Sequence, residues 1–209
     1  MMPNNESLYG QWPKCGEIDM MEVLGNEPNK LYGTIHYGDP HEQKQGTYVL
    51  DKGTFADDYH IYGIEWVPGE IRWYIDGKLY YTANDWFTKV EGGDEVTFPA
   101  PFDQPFYMQF NLAVGGSWPG NPDETTDFDN AEFKVDYIKA YQLDSYDENV
   151  KKPEAEKVIL RDPDKNGNYI INGDFSKDDG SWKFLTALNG VGNSKIGNNK
   201  MTISTENAG

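Results

Sequence analysis

The sequence predicts an all-β protein made of antiparallel sheets, and three observations carry that prediction. Apolar and polar residues alternate with period two in several segments, the pattern of strands buried on one face. Asp76-Gly77 interrupts one such run; Asp-Gly between alternating apolar residues is a strong hairpin signal, because both turn positions need positive φ. No helical crossovers separate the strand-like runs, which favours an antiparallel β-sandwich over a βαβ architecture.

Taken in order, Leu31–Tyr37 alternates into Gly38-Asp39-Pro40, a turn cluster. Tyr59–Val67 and Glu70–Tyr81 read as strands, the second folded at Asp76-Gly77. One short helix is expected around Asn84–Lys89. Phe106–Val114 sets Phe106, Met108, Phe110 and Leu112 against Tyr107, Gln109, Asn111 and Ala113, and Phe133–Leu143 alternates in the same way. These strands place one domain over residues 1–143. The composition then turns charged, with Pro153 and Pro163 and a single short apolar run, Val158–Leu160, so 144–166 reads as a linker. Tyr169-Ile170-Ile171 followed by Asn172-Gly173-Asp174-Phe175 opens a second β module, residues 167–209. So short a β module rarely folds alone without disulfides or metal.

The composition narrows the partners. A formal net charge of -17 over 209 residues repels phosphate backbones, so nucleic acid is excluded as a partner. An uncharged polysaccharide is indifferent to that field. Aromatic residues make up 14% although hydrophobic residues reach only 37%. That balance argues against disorder and suits both β structure and surfaces that stack on sugar rings. Cys15 is the lone cysteine, which excludes an intrachain disulfide and reads as a small buried hydrophobe. No stretch approaches the roughly 18 apolar residues of a membrane helix, so no membrane partner is expected. Met1-Met2-Pro3-Asn4-Asn5 has neither the basic region nor the apolar core of a signal peptide.

The chemistry concentrates in Gly16-Glu17-Ile18-Asp19-Met20-Met21-Glu22. In a regular strand Glu17 and Asp19 share a face while Glu22 points to the other. A one-residue bulge at Met20-Met21 would restore the phase and bring all three carboxylates to one face. Crowded like charges favour keeping one carboxyl protonated, the condition that retaining glycosidases use. Glu17 and Glu22 are five residues apart, four once the bulge is discounted, which at about 3.3 Å per residue puts them roughly 13 Å apart. Their side chains meet only by leaning together on a bent strand. On spacing alone, a calcium site with further oxygen ligands fits as well.

The segment Trp12-Pro13-Lys14-Cys15-Gly16-Glu17-Ile18-Asp19-Met20-Met21-Glu22 resembles the signature of family 16 glycoside hydrolases, in the bulged E-x-D-x-x-E form of laminarinase-type members. Gly33-Thr34-Ile35-His36-Tyr37, Tyr62–Trp66 with Ile71–Gly77, and Phe106–Gly120 match further blocks, and Val135–Gln142 resembles the final strand. The resemblance covers residues 1–142. It implies a concanavalin-like jelly roll and a secreted, monomeric endo-β-1,3-glucanase acting on β-glucan, with no cofactor for catalysis. Carried over by position, Glu17 is the nucleophile, Glu22 the acid/base, and Asp19 the partner that orders their protons. Trp12 and Trp118 are stacking candidates, while His36, Gln109 and Asn111 are candidates for the sugar cleft. Each of these five has packing or structure as its alternative role. Asp136 matches the position of a structural calcium ligand.

The resemblance also implies that a family domain starts well before this acidic strand. Met1-Met2-Pro3 matches the middle of a family strand, so the chain is expected to be N-terminally truncated. Asn168–Ser176 with Ser181-Trp182 resembles the opening of a family 4/9/22-type carbohydrate-binding module. A non-catalytic carbohydrate-binding protein, or an inactive fragment of the enzyme, is the alternative reading.

Overall fold

A computed structural model describes residues 1–90, 92–129, 131–154, 177 and 191–207. The chain divides into two compact units, Met1–Glu154 and Ala155–Gly209. In the first, strand β1 (Met2–Pro3) is followed by a 3₁₀ turn at Glu6–Leu8 and then by β2 (Glu17–Val23), β3 (Lys30–Tyr37) and β4 (Glu42–Val49). β5 (Tyr62–Val67), β6 (Glu70–Ile75), β7 (Lys78–Ala83) and β8 (Phe106–Tyr107) complete it. β2-β3-β4 form one three-stranded sheet and β5-β6-β7 another, and β1 pairs with β8. Every ladder is antiparallel, so the chain is all-β as its alternation requires.

The two three-stranded sheets pack face to face. Ile18, Ile35 and Tyr37 of the first meet Ile71, Trp73 and Ala83 of the second in one buried cluster, closed by Trp86 and Phe102. Complete burial of each large apolar side chain contributes about 1.5–3 kcal/mol. Close approach is built into the sequence at two glycines. A Cβ on Gly33 would lie 2.5 Å from the Trp73 ring, and one on Gly46 would lie 2.1 Å from Tyr81. Only hydrogen at these positions lets the indole and phenol rings lie against the opposite backbone. A smaller cluster of Leu31, Phe55 and Ile75 extends the core and takes in Met21 and Val23 from β2.

The Asp76-Gly77 hairpin forms as the sequence requires, with φ of 49° and 78° between β6 and β7. Three other expectations are corrected. The strand expected from Tyr59 begins at Tyr62. No helix forms at 84–89, because tertiary contacts hold its side chains elsewhere. Trp86 is buried and donates Nε1–H to the Pro99 carbonyl at 2.8 Å, Thr88 donates to the Lys14 carbonyl at 2.7 Å, and Asp85 accepts from Lys44 at 2.9 Å. The long strands expected at Phe106–Val114 and Phe133–Leu143 reduce to the two residues of β8. Beyond it, Phe110, Leu112, Val114, Phe133, Val135 and Tyr137 are all exposed. Alternation supplies the preference for a strand, but a strand also needs a ladder partner, and among the described residues these segments have none.

In the second unit, β9 (Val191–Gly197) and β10 (Lys200–Asn207) form an antiparallel hairpin. Its turn residues Asn198 and Asn199 take φ of 53° and 57°, conformations that asparagine tolerates better than most residues. Residues 155–166 of the expected linker, and the Asn168–Ser176 and Trp182 positions of the expected binding module, lie outside the described residues.

Candidate active site

β2 carries the acidic residues on one face and core residues on the other. Glu17 pairs with His36, Ile18 with Ile35 and Asp19 with Thr34, but Glu22 pairs with Tyr32. The register therefore slips by one residue between Asp19 and Glu22: Met20 and Met21 together stand where a regular strand would place one residue, which is a β-bulge. The reset follows from the residue types. Ile18 packs beneath the strand against the inter-sheet cluster, and Met21 and Val23 pack into the second cluster. Glu17, Asp19 and Glu22 are left on the open face. Their partners His36, Thr34 and Tyr32 lie two residues apart on β3, so they share that face.

The bulge is anchored from the opposite sheet. Trp73 is fully buried on β6 and donates its indole N–H to the Asp19 carbonyl at 2.9 Å, where the ladder to β3 is interrupted. A core tryptophan thus takes up a backbone acceptor next to the acidic residues.

Two of the three carboxylates are held by different donors. Trp12 donates Nε1–H to Glu17 Oε2 at 2.6 Å. Thr34, fully buried, donates its hydroxyl to Glu22 Oε2 at 2.9 Å, and Gln45 of β4 donates to the Thr34 hydroxyl at 3.0 Å. Asp19 Oδ2 is buried without a hydrogen bond; His36 Nε2 faces it at 3.4 Å, an ion-pair distance longer than a good hydrogen bond. Burial, then the Asp19 charge, pushes the carboxyls of both Glu17 and Glu22 above the ordinary glutamate range, partly offset by Trp12 and Thr34 respectively. Burial alone would lower the His36 pKa, but its contact with Asp19 and the charges of Glu17 and Glu22 raise it.

Above this face lies a cleft of about 350 Å³ lined by Glu22, His36, Gln43, Gln45 and Trp118. Trp118 is 46% exposed and meets the Tyr32 ring edge-on, with centroids 4.9 Å apart. Trp12 is also 46% exposed. Of the residues singled out from the sequence, the structure gathers Trp12, Glu17, Asp19, Glu22, His36 and Trp118. Gln109 and Asn111 are exposed on the segment after β8 and do not line the cleft. Asp136 is exposed, and among the described residues it belongs to no cluster of three or more carboxylate, imidazole or thiol ligands. Cys15 is completely buried, and burial pushes its thiol up to about 11, which leaves it inert as a nucleophile.

Thr34, His41, Gln43, Gln45 and Trp73 were not singled out as site residues from sequence. β4 (Glu-Gln-Lys-Gln-Gly-Thr-Tyr-Val) is polar on the cleft face and half-covered on the other, so it carries little apolar signal. The available signal was its position, one turn after a strand already expected.

An open sheet face bearing three clustered carboxylates between exposed tryptophans has the chemistry of a carbohydrate-processing site. Residues 3–139 match the family model of glycosyl hydrolases family 16, and the chain belongs to that family. It is 39% identical over 148 residues to a glucan endo-1,3-beta-glucosidase A1 of Niallia circulans, covering 68% of this chain and 21% of that protein. A keratan-sulfate endo-1,4-beta-galactosidase of Sphingobacterium multivorum is also 39% identical over 148 residues, covering 68% of this chain and 32% of that protein. Among solved structures, an endo-beta-1,3-glucanase from Pyrococcus furiosus is 42% identical with a TM-score of 0.47, covering 61% of this chain and 48% of that one. The chain thus spans well under half the length of these curated relatives.

Proposed function

We propose that this chain carries the catalytic carboxylates of a retaining endo-glycosidase that cuts internal β-1,3 or mixed β-1,3/1,4 linkages of β-glucan. The observation that carries the reading is the bulge in β2, which turns Glu17, Asp19 and Glu22 onto one open face. In the first step the Glu17 carboxylate attacks the anomeric carbon and the glycosidic C–O bond breaks, while Glu22 gives its proton to the departing oxygen. Water then attacks the same carbon, Glu22 takes its proton, and Glu17 leaves as a carboxylate. A raised pKa suits Glu22 as the acid. At Glu17 the Trp12 N–H favours the ionised form that a nucleophile needs.

Asp19 sits between the two on the same face, and its charge acts on both, which supports the role of ordering their protons. Trp12 and Trp118 are the stacking surfaces and His36 lines the cleft; Gln109 and Asn111, which lie outside the cleft, are given no part in this reading. No cofactor takes part in catalysis. A calcium ion at Asp136 would be structural in this reading and would take its other oxygens from backbone carbonyls and water. An EDTA-dependent fall in the unfolding midpoint would support that ion, and an unchanged midpoint would remove it. The protein acts as an extracellular monomer, with 144–166 as a linker and 167–209 as part of a carbohydrate-binding module. Tethering such a module to the enzyme raises the effective concentration of an insoluble substrate.

The test is reducing-end release from laminarin, lichenan, agarose and keratan sulfate by the 209-residue chain and by Glu17→Gln. Release from laminarin or lichenan by the parent alone is the expected result. Binding without release would mark a carbohydrate-binding protein, and release from agarose or keratan sulfate alone would move the substrate to a galactan.

A further inference from the structure

Behind the acidic strand lies an imidazole that the proposed reaction does not use. His41 follows the Gly38-Asp39-Pro40 turn, which returns the chain so that Tyr37 pairs with Glu42 and His36 with Gln43. The turn brings His41 Nε2 to 3.0 Å from His36 Nδ1, with the two rings stacked at 25° and centroids 5.2 Å apart. The Trp12 ring lies 4.9 Å from His41 and 5.8 Å from His36. One exposed imidazole therefore touches both groups that hold the acidic strand: His36, which faces Asp19, and Trp12, which donates to Glu17.

The two nitrogens of His36 are not equivalent. Nε2 faces the Asp19 carboxylate, and an N–H there is favoured because a carboxylate only accepts. When His36 is neutral, its Nδ1 is then a bare acceptor and needs a donor, which His41 Nε2–H supplies. When His36 is protonated, Nδ1–H donates and His41 Nε2 accepts. The bridge persists in both charge states of His36 and holds the ring with its Nε2 edge towards Asp19. Without His41, the His36 ring loses one of the two contacts that fix its tautomer, keeping only the longer one to Asp19, and the Trp12 indole loses the nearer of the two imidazoles against which it rests.

We propose that His41 is a positioning residue: it fixes the tautomer and orientation of His36 against Asp19 and supports Trp12 against Glu17. The inference rests on the reading of Glu17 and Asp19 as catalytic groups, but it can be measured without turnover. The test compares the full chain with His41→Ala and His41→Gln, using long-range ¹H–¹⁵N correlation spectra of the His36 ring and laminarin kinetics. The parent should show the Nε2–H form of neutral His36. His41→Ala should give a mixture of tautomers and lower kcat about tenfold with KM little changed, within the roughly hundredfold loss that a 1 Å misplacement can cause. His41→Gln, whose amide N–H can donate to Nδ1, should restore most of both readouts.

An unchanged His36 tautomer in a folded His41→Ala chain overturns the proposal, whatever the activity. So does a change in His36 that His41→Gln fails to restore. If the parent hydrolyses nothing, the catalytic reading fails while the His36 spectra still decide the role of His41.

Discussion

Replacing Trp73 by Phe tests whether the core holds the acidic strand in place. The indole N–H bonded to the Asp19 carbonyl at 2.9 Å is lost, and a buried acceptor beside the bulge is left without that donor. Leaving such a group unsatisfied costs about 1–3 kcal/mol. The smaller ring also vacates space in a fully buried cluster, and together the two effects predict a loss of about 2–4 kcal/mol. Denaturant unfolding measures that loss. The sharper readout is activity at a temperature where the variant stays folded: a bulge that drifts by about 1 Å should lower kcat by up to about a hundredfold. Ile75→Ala is the control. Ile75 is 2% exposed in the neighbouring cluster, so its truncation costs a comparable ~2–5 kcal/mol without touching Asp19. Activity in Trp73→Phe that matches Ile75→Ala would refute the claim that Trp73 positions the site.

Other predictions follow from the same contacts. The folded-state pKa of Glu22 is raised by burial and by Asp19, so between the ordinary glutamate value and the raised one the folded chain holds a proton that the unfolded chain lacks. Stability falls as pH rises through that window. Glu22→Gln removes the penalty: its melting temperature should exceed the parent's at pH 7, and the gain should vanish below about pH 4, near the unperturbed glutamate value. Gly33→Ala drives a Cβ to within 2.5 Å of both the Trp73 ring and the Tyr80 hydroxyl; overpacking of this kind costs about 1–3 kcal/mol, readable by calorimetry. Deleting Met20 leaves Glu-Ile-Asp-Met-Glu, in which regular alternation already puts the three carboxylates on one face without a bulge, so laminarin hydrolysis should survive the deletion in a folded chain.

Much of the site was legible in sequence because its logic is local. The mismatch between Glu17-Ile18-Asp19 and Glu22 can place three carboxylates on one face only through an extra residue, and the observed register contains that residue. The Asp76-Gly77 hairpin is equally local, requiring positive φ at two adjacent positions. What stayed hidden depends on distant partners. Thr34 is an unremarkable strand threonine until Gln45 and Glu22 flank it. Trp73 reads as a core residue until its N–H is seen at the Asp19 carbonyl. The alternation of 106–114 and 133–143 describes strands half-covered by something, but period two cannot name the neighbour that completes the ladder, and these residues are exposed here. Residues 84–89 show the converse, a helical preference overridden because Trp86 and Thr88 have better partners elsewhere.

The central claim is that Glu17 forms the covalent bond to sugar and Glu22 moves the proton. A 2-deoxy-2-fluoro-laminaribiosyl fluoride tests it most directly, because the 2-fluorine slows both formation and breakdown of the glycosyl-enzyme while the fluoride leaving group speeds formation, so the covalent intermediate accumulates. After incubation and proteolysis, mass spectrometry should find one added disaccharide on the peptide containing Glu17-Ile18-Asp19, with fragmentation placing it on Glu17. A disaccharide on Glu22 or Asp19 would contradict the assignment, and a chain that turns over laminarin without any covalent adduct would contradict the retaining mechanism.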